Sequence, residues 1–417
     1  MIKKIIKLVA KLLLGIVILI VIGYFSFIGW EYLSGNKFVD YINKNIETVS
    51  INNTFTYEMM SEDIKNNQLI LVGETHGFHE PTVFDVDFFK HLYNKFGVRT
   101  YIAELDYAQA SLMNTYLQNG DDKLLQQILE SWVVVQGRNN KDYFDKYRAL
   151  HNFYQRLPDD DKFKFIGIDK IQDWKVFAKL INQLSETDSM LKPIIYSKET
   201  IKQQIKDRIN NLLLNDNIKD KHQFKLEHLL KNIEYRESKR DREQVMTLNF
   251  SDIYKQFKLS DEKLYGFLGL YHVFQYRINE KHPFASQVRQ SELGLENKIL
   301  SVNFLFVDSH MITRSDALPE FIRDKGKYTR MSISADNLLF MYIYGIMDFK
   351  RTTAEHHKSI IKMNNSDNNP YENSTRMTKT FQILPVVKLW EMNDKGKPYT
   401  QYTIFARNSD WAKPINE

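Results

Sequence analysis

From Leu69 to Glu80 the chain reads LILVGETHGFHE: an apolar run, a glycine, then Glu74, His76, His79 and Glu80 in close succession. A neutral imidazole paired to a carboxylate is the usual general base for activating water or a hydroxyl. His76, with Glu74 or the later Glu104 to orient it, fits that description. Pro81 opens a stretch of helical spacing, so the amides near Thr82 stand at a helix N-terminus, where an oxyanion is stabilised. The spacing His76-x-x-His79-Glu80 also permits a metal site, with His76 and His79 as ligands. It is not the zincin arrangement, which needs His at i and i+4 around a Glu.

The segments around these groups follow a βαβα rhythm. Leu69–Val72 reads as a buried strand and Pro81–Phe96 as a helix closed by Gly97. Thr100–Leu105 is a second strand bearing Glu104, and Phe163–Ile168 a third that ends at Asp169. Helices are predicted over Tyr107–Leu117 and Tyr143–Leu157. Leu264–Leu270 is a fourth strand, leading to His272, and Leu300–Val307 a fifth, leading to His310. A parallel sheet binds its ligands beyond the C-terminal strand ends, which would gather Glu74, His76, Glu104, Asp169 and His272 on one edge. His310 has similar geometry but cannot easily share the role of His272. Residues 171–260 read as long helices, Ile201–Leu214 and Phe224–Asn249 the clearest, forming a helical insertion or cap. Residues 311–380 look irregular apart from a short helix at Leu318–Asp324, and Gln401–Arg407 reads as a last strand, antiparallel at the sheet edge.

Leu12–Trp30 is a run of 19 residues without a charge, preceded by Lys3, Lys4, Lys7 and Lys11 and followed by Glu31. That length suits a transmembrane helix, and the lysines place the N-terminus in the cytoplasm and the rest outside it. A cleaved signal peptide is the rival reading. Those four lysines carry most of the net charge of +5, so the remaining chain is near neutral and offers no footprint for nucleic acid. There is no cysteine, which excludes disulfides, thiolate catalysis and Cys-ligated metal, and suits a bacterial protein outside the cytoplasm. No Gly-x-Ser-x-Gly elbow, Walker A or Gly-x-Gly-x-x-Gly motif occurs, so serine hydrolase chemistry of the α/β-hydrolase kind and nucleotide cradles are not expected.

The motif LVGETHGFHE, followed by YIAELDYAQASLMNTYL and Gly120-Asp121, resembles the erythromycin esterase-like family. That fold is shared with the ChaN-type haem-binding lipoproteins and, more distantly, with Tiki/TraB proteins. YRALHNFYQ ahead of FKFIGID, RDREQVMTLNF, GLYHVFQ and YTIFARNSD support the resemblance, which runs from about residue 66 to 412. It implies hydrolysis by a His-activated water without a serine nucleophile. His76 would be the base, Glu74 and Glu104 would shape the site, and His272 would assist. Glu80, Arg148, Asp169 and Arg242 are the candidate substrate-binding residues. The chain departs from the esterase pattern at three places. Thr75 alone separates Glu74 from His76, Gly269 stands where the esterases have a second His, and Asp85 stands where they have an Arg.

The resulting expectation is an α/β protein with a central, mainly parallel sheet flanked by helices, carrying a helical insertion at about 171–260 and preceded by one N-terminal transmembrane helix. Residues 1–30 form the anchor, 31–65 a linker and 66–412 the domain. The expected function is a membrane-anchored, extracytoplasmic, esterase-like hydrolase acting on a small-molecule or lipid ester, with no cofactor predicted. The alternatives are a haem- or metal-binding protein of the ChaN type, with His76, His79 or His272 as ligand, and a Tiki-like metal-dependent peptidase.

Overall fold

An apolar run with no room for charge on either face makes a strand covered on both sides of a sheet, and the chain supplies several. The computed structural model describes residues 2–132, 139–185, 193–364, 369–384, 390–394, 397 and 399–415. The first elements are α1 (Ile2–Ser34), α2 (Asn36–Lys44), β1 (Ile46–Ser50), α3 (Ser61–Asn66), β2 (Leu69–Glu74), α4 (Glu80–Phe96), β3 (Thr100–Asp106), α5 (Tyr107–Asn119), α6 (Asp122–Glu130), α7 (Lys141–Gln155) and β4 (Lys164–Asp169). The helical excursion follows as α8 (Trp174–Ser185), α9 (Ile201–Leu214), α10 (Asp216–Glu237) and α11 (Arg242–Gln256). Then come β5 (Leu264–Gly269), α12 (Phe284–Arg289), β6 (Ile299–Val307), β7 (Ser309–Arg314), β8 (Tyr328–Ile333), β9 (Asp336–Asn337), β10 (Met341–Ile343), α13 (Ile346–Thr352), β11 (His357–Lys362), β12 (Thr380–Phe381) and β13 (Tyr402–Arg407).

The main sheet has eight strands in the order β1-β11-β13-β6-β2-β5-β3-β4. Pairing is parallel from β13 through β4, and β11 and β1 add antiparallel strands at one edge. Every residue of β2, β3 and β5 is buried, as their continuous apolar runs require. The architecture is thus α/β, with a mostly parallel sheet flanked by helices, and α1 is long and apolar enough to cross a membrane. Gly97 closes α4 in the left-handed region (φ 71°), where glycine meets no steric cost.

Three stretches differ from the sequence expectation. The strand at 402–407 is not an antiparallel edge: it lies inside the sheet, parallel to β6, because β11 and β1 cover its other side. Residues 31–65 are more than a linker, since they supply α2 and the outermost strand β1. Residues 311–380 contain β8, β10, α13 and β11, while 318–324 is turns rather than a helix. These short, half-polar segments have weak period-2 patterns and are ordered by pairing: β8 with β7, β10 with β9 and β12, and β11 with β1 and β13.

The helical excursion carries a break that matters for the site. Helix spacing runs on from Phe224 to Asn249, yet α10 stops at Glu237 and α11 restarts at Arg242. Asp241 supplies a capping box: its side chain accepts from the Gln244 amide, and the Gln244 side chain reaches back to the Asp241 amide. The N-terminus of α11 is thereby aimed at the C-terminal edge of the sheet, and Asn249 on the same helix donates to the Ile168 carbonyl at 3.0 Å.

Candidate active site

The chain leaves β5 and crosses over β2 to enter β6, so the order reverses beside β2, where open sheets of this type form their crevice. β2 ends at Glu74, β5 at Gly269 and β4 at Asp169, and Glu104 lies near the end of β3. Because β5 sits between β2 and β3, Gly269 is flanked by the groups those strands deliver. A Cβ at Gly269 would lie 3.2 Å from His76 Nε2 and 3.2 Å from Glu104 Oε2. The missing side chain is the space into which the His76 ring and the Glu104 carboxylate both turn. Glu104 is fixed there by the Gly269 amide, which donates to its Oε2.

His76 Nδ1 lies 3.0 Å from Glu74 Oε1, and the Tyr143 hydroxyl donates to that same buried oxygen. Arg242 bridges the other carboxylates. Its Nε donates to Asp169 Oδ1 at 2.8 Å, and its Nη2 reaches Asp169 Oδ2 at 2.6 Å and Glu104 Oε1 at 2.5 Å. Burial works against the guanidinium charge, but Asp169 and Glu104 outweigh it and hold its pKa above the ordinary value. His272 is buried, with Nδ1 2.7 Å from Glu243 Oε2 and Nε2 3.5 Å from Glu104 Oε1. Burial opposes its charge too, yet Glu243 and Glu104 push its pKa up to about 9. His272 is therefore an imidazolium at neutral pH, unsuited to be a base and suited to hold negative charge.

The structure brings Glu74, His76, Glu104, Arg242 and His272 to one cleft of about 1080 Å3, with Asp169 directly behind Arg242. The other predicted residues lie elsewhere. Glu80 is buried in a 2.9 Å ion pair with Lys358 of β11. His79 precedes α4 with Nδ1 2.7 Å from Asp142, which raises its pKa against the effect of burial. Arg148 is on the exposed face of α7, paired with Asp122 at 2.9 Å. His310 lies on β7 beside Arg330, and burial together with that cation lowers its pKa. His76 and His79 do not converge, and no group of His, Cys, Asp or Glu side chains among the described residues is arranged to hold a metal ion. Of the three histidines considered as haem or metal ligands, His76 alone lines the cleft with a ring nitrogen not placed against a carboxylate, since His272 faces Glu243 and Glu104 and His79 faces Asp142.

Sequence reasoning missed Tyr143, Lys146 and the role of Glu243. Lys146 Nζ lies 2.6 Å from Asp85, both fully buried, and Tyr101 and Tyr265 also donate to Asp85. The departure at Asp85 is thus matched by a lysine arriving from α7, one turn beyond the Tyr143 that touches Glu74. The helical spacing Tyr143-x-x-Lys146 was visible, but its partners, Glu74 of β2 and Asp85 of α4, come from elements distant in the chain. Glu243 had a readable signal: it follows Arg242 in the first turn after a capping Asp241.

The cleft extends well beyond this cluster. One wall is β6 (Asn303 to Phe306), another is β10 with Met377 and Thr380, and Trp390 and Tyr399 close a third side.

No family model matches the chain, and no curated protein matches it in sequence. Solved structures do match in fold. A Bacillus cereus protein covers 91% of this chain and 98% of its own at 14% identity and a TM-score of 0.61. A structure of ChaN from Campylobacter jejuni with cofacial haem covers 63% of this chain and 91% of its own at 16% identity, and its TM-score of 0.31 is too low to bear on this site. A variant of the erythromycin esterase EreC in an open conformation covers 87% of this chain and 98% of its own, at 10% identity and a TM-score of 0.53. The chain shares the fold of the erythromycin esterase.

Proposed function

We propose that this chain is a membrane-anchored hydrolase that cleaves an ester through a water activated by His76. The observation that carries the reading is the polarity of the cleft head. One imidazole backed by a carboxylate, His76 on Glu74, shares the cleft with two cations, the half-buried Arg242 and the buried His272. In the reaction, His76 Nε2 takes a proton from water as the water oxygen bonds to the carbonyl carbon. Glu74, 3.0 Å from Nδ1, favours the imidazolium that forms. The tetrahedral oxyanion then meets the Arg242 guanidinium, with the His272 charge behind Glu104, and both charges are fixed in place before reaction and cost little reorganisation. When the oxyanion collapses, the carbon–oxygen bond to the alcohol breaks and His76 returns its proton to the leaving oxygen. Glu104 keeps both cations in register. The apolar length of α1 and the shared fold with an esterase support the reading.

The test is hydrolysis of p-nitrophenyl esters by the full chain in detergent. His76→Ala should abolish turnover with folding intact. Unchanged hydrolysis in that variant would overturn the mechanism. A haem titration on the same samples addresses the binding-protein alternative: a Soret band lost in His76→Ala, with no turnover in the unmodified chain, would replace the hydrolase reading.

A further inference from the structure

The end of α1 does not dangle from the domain. Trp30 stacks on Tyr344, with ring centroids 5.9 Å apart. One turn earlier, Phe27 packs against Tyr342 at 5.5 Å and Phe381 at 5.9 Å. Glu31 accepts from the Tyr342 hydroxyl and the Gly345 amide, beside Arg376. The helix therefore runs along the ribbon made by β10 and β12, in the chain direction of β10. Tyr344 is level with Trp30, and Tyr342 with Phe27. The same stride brings residue 340 level with Tyr24, which is inside the charge-free run Leu12–Trp30.

The ribbon continues in that direction. Ile383 donates its amide to the Leu338 carbonyl at 2.9 Å, and Leu384 to that of Leu339 at 2.8 Å. At this tip Leu339, Phe340, Ile383 and Leu384 are 48, 43, 54 and 43% exposed. Large apolar side chains grouped this way are costly in water, at about 25 cal/mol per Å2. At the depth that a membrane-spanning α1 would assign them, they would meet hydrocarbon instead. The next residue, Met341, lines the cleft, and so do Ile343, Met377 and Phe306. An apolar path thus leads from the tip to His76.

We infer that the ribbon tip 339–340 and 383–384 dips into the bilayer as the lip of the cleft. The substrate is then a membrane-resident lipid ester, whose long acyl chain passes over this lip and lies along Met341, Ile343 and Met377 with its ester at His76. The choice of an ester rests on the hydrolase reading; the lip and the path for the chain do not.

The absence of cysteine makes the test direct. The full chain is reconstituted in phosphatidylcholine vesicles with an environment-sensitive label at Leu339→Cys, Ile383→Cys or, as an aqueous reference on α10, Asp220→Cys. The first two labels should be quenched by spin labels on the lipid acyl chains and shielded from iodide, and the third should behave in the opposite way. Equal iodide quenching at all three positions overturns the inference. A second arm compares p-nitrophenyl palmitate in the vesicles with p-nitrophenyl acetate in solution. Leu339→Asp with Phe340→Asp should slow the palmitate by at least about tenfold, because two apolar side chains no longer reach the lipid, and leave the acetate rate unchanged. Parallel loss of both activities, or loss of neither, counts against the inference. If the unmodified chain hydrolyses neither ester while the labels report hydrocarbon, the hydrolase reading fails and the membrane lip stands.

Discussion

His272 Nδ1 lies 2.7 Å from Glu243 Oε2, and Glu243 is the residue after Arg242. The first turn of α11 thus supplies both the guanidinium that holds Asp169 and Glu104 and the carboxylate that keeps His272 charged. The folded pKa of His272, about 9, is above the unfolded value of about 6.5. A group raised in this way contributes stability that is fully present below the unfolded pKa and is lost as pH rises through the folded one. His272 should therefore add on the order of 3 kcal/mol below about pH 6.5, declining towards about pH 9. Thermal unfolding followed between pH 6 and 10 should show a fall in Tm that Glu243→Gln flattens. A variant with the slope of the unmodified chain would contradict the pairing. Ester hydrolysis should fall over the same alkaline range, since the cleft loses one of its two cations.

Gly269→Ala separates stability from chemistry. The added methyl would press on the His76 ring and the Glu104 carboxylate at 3.2 Å, so each must yield by a few tenths of an ångström. The fold should lose only about 1 kcal/mol, as is usual for mild overpacking. The rate should fall by about tenfold, because displacing a positioned catalytic group is costly even at this scale. Circular dichroism melts beside ester kinetics check both halves, and full activity would show that His76 needs no such room.

Asp85 and Lys146 form a buried pair beneath the site, 2.6 Å apart, with Tyr101 and Tyr265 donating to the carboxylate. Removing one partner of such a pair leaves an uncompensated buried charge and typically costs about 3–5 kcal/mol, whereas replacing both with neutral groups costs far less. Lys146→Met should therefore destabilise more than the double variant with Asp85→Asn. A double-mutant cycle in urea measures this, and additive losses would refute the pairing.

That pair also marks what could be read from the chain alone. The strand-end groups Glu74, Glu104 and Asp169 were legible because buried parallel strands announce themselves as apolar runs, and their ends follow. Arg242 was legible through its motif, although the break that aims it was not: helical spacing runs through Ser238, and only the capping Asp241 betrays the restart. Arg148 was misplaced for the converse reason. It shares α7 with Lys146 and Tyr143, and a half-turn of helix decides which of them faces inward. Asp85 read as a loss, because its compensating Lys146 arrives from an element distant in sequence. Strand β1 was missed because an edge strand is short and half-exposed, and β11 because its run of four buried residues includes Lys358 and Ser359, which break the apolar pattern.

Glu31, at the end of the apolar helix, is the joint between α1 and the domain. It accepts from Tyr342 and Gly345 and lies 4.0 Å from Arg376, which also donates to Asp348 at 2.7 Å. Burial raises the pKa of Asp348 to about 7 against the pull of Arg376. Glu31→Ala would leave the Gly345 amide and the Tyr342 hydroxyl without their acceptor in a buried setting, at about 1–3 kcal/mol for each unsatisfied group. The full chain carrying Glu31→Ala should lose several degrees of Tm, since about 1 kcal/mol shifts a large domain by roughly 2–4 °C. Release of α1 from the ribbon should also raise hydrogen exchange at β10 and α13 while leaving β2 and β5 protected. Unchanged exchange at β10 would mean that the aromatic contacts of Phe27 and Trp30 hold the helix without Glu31.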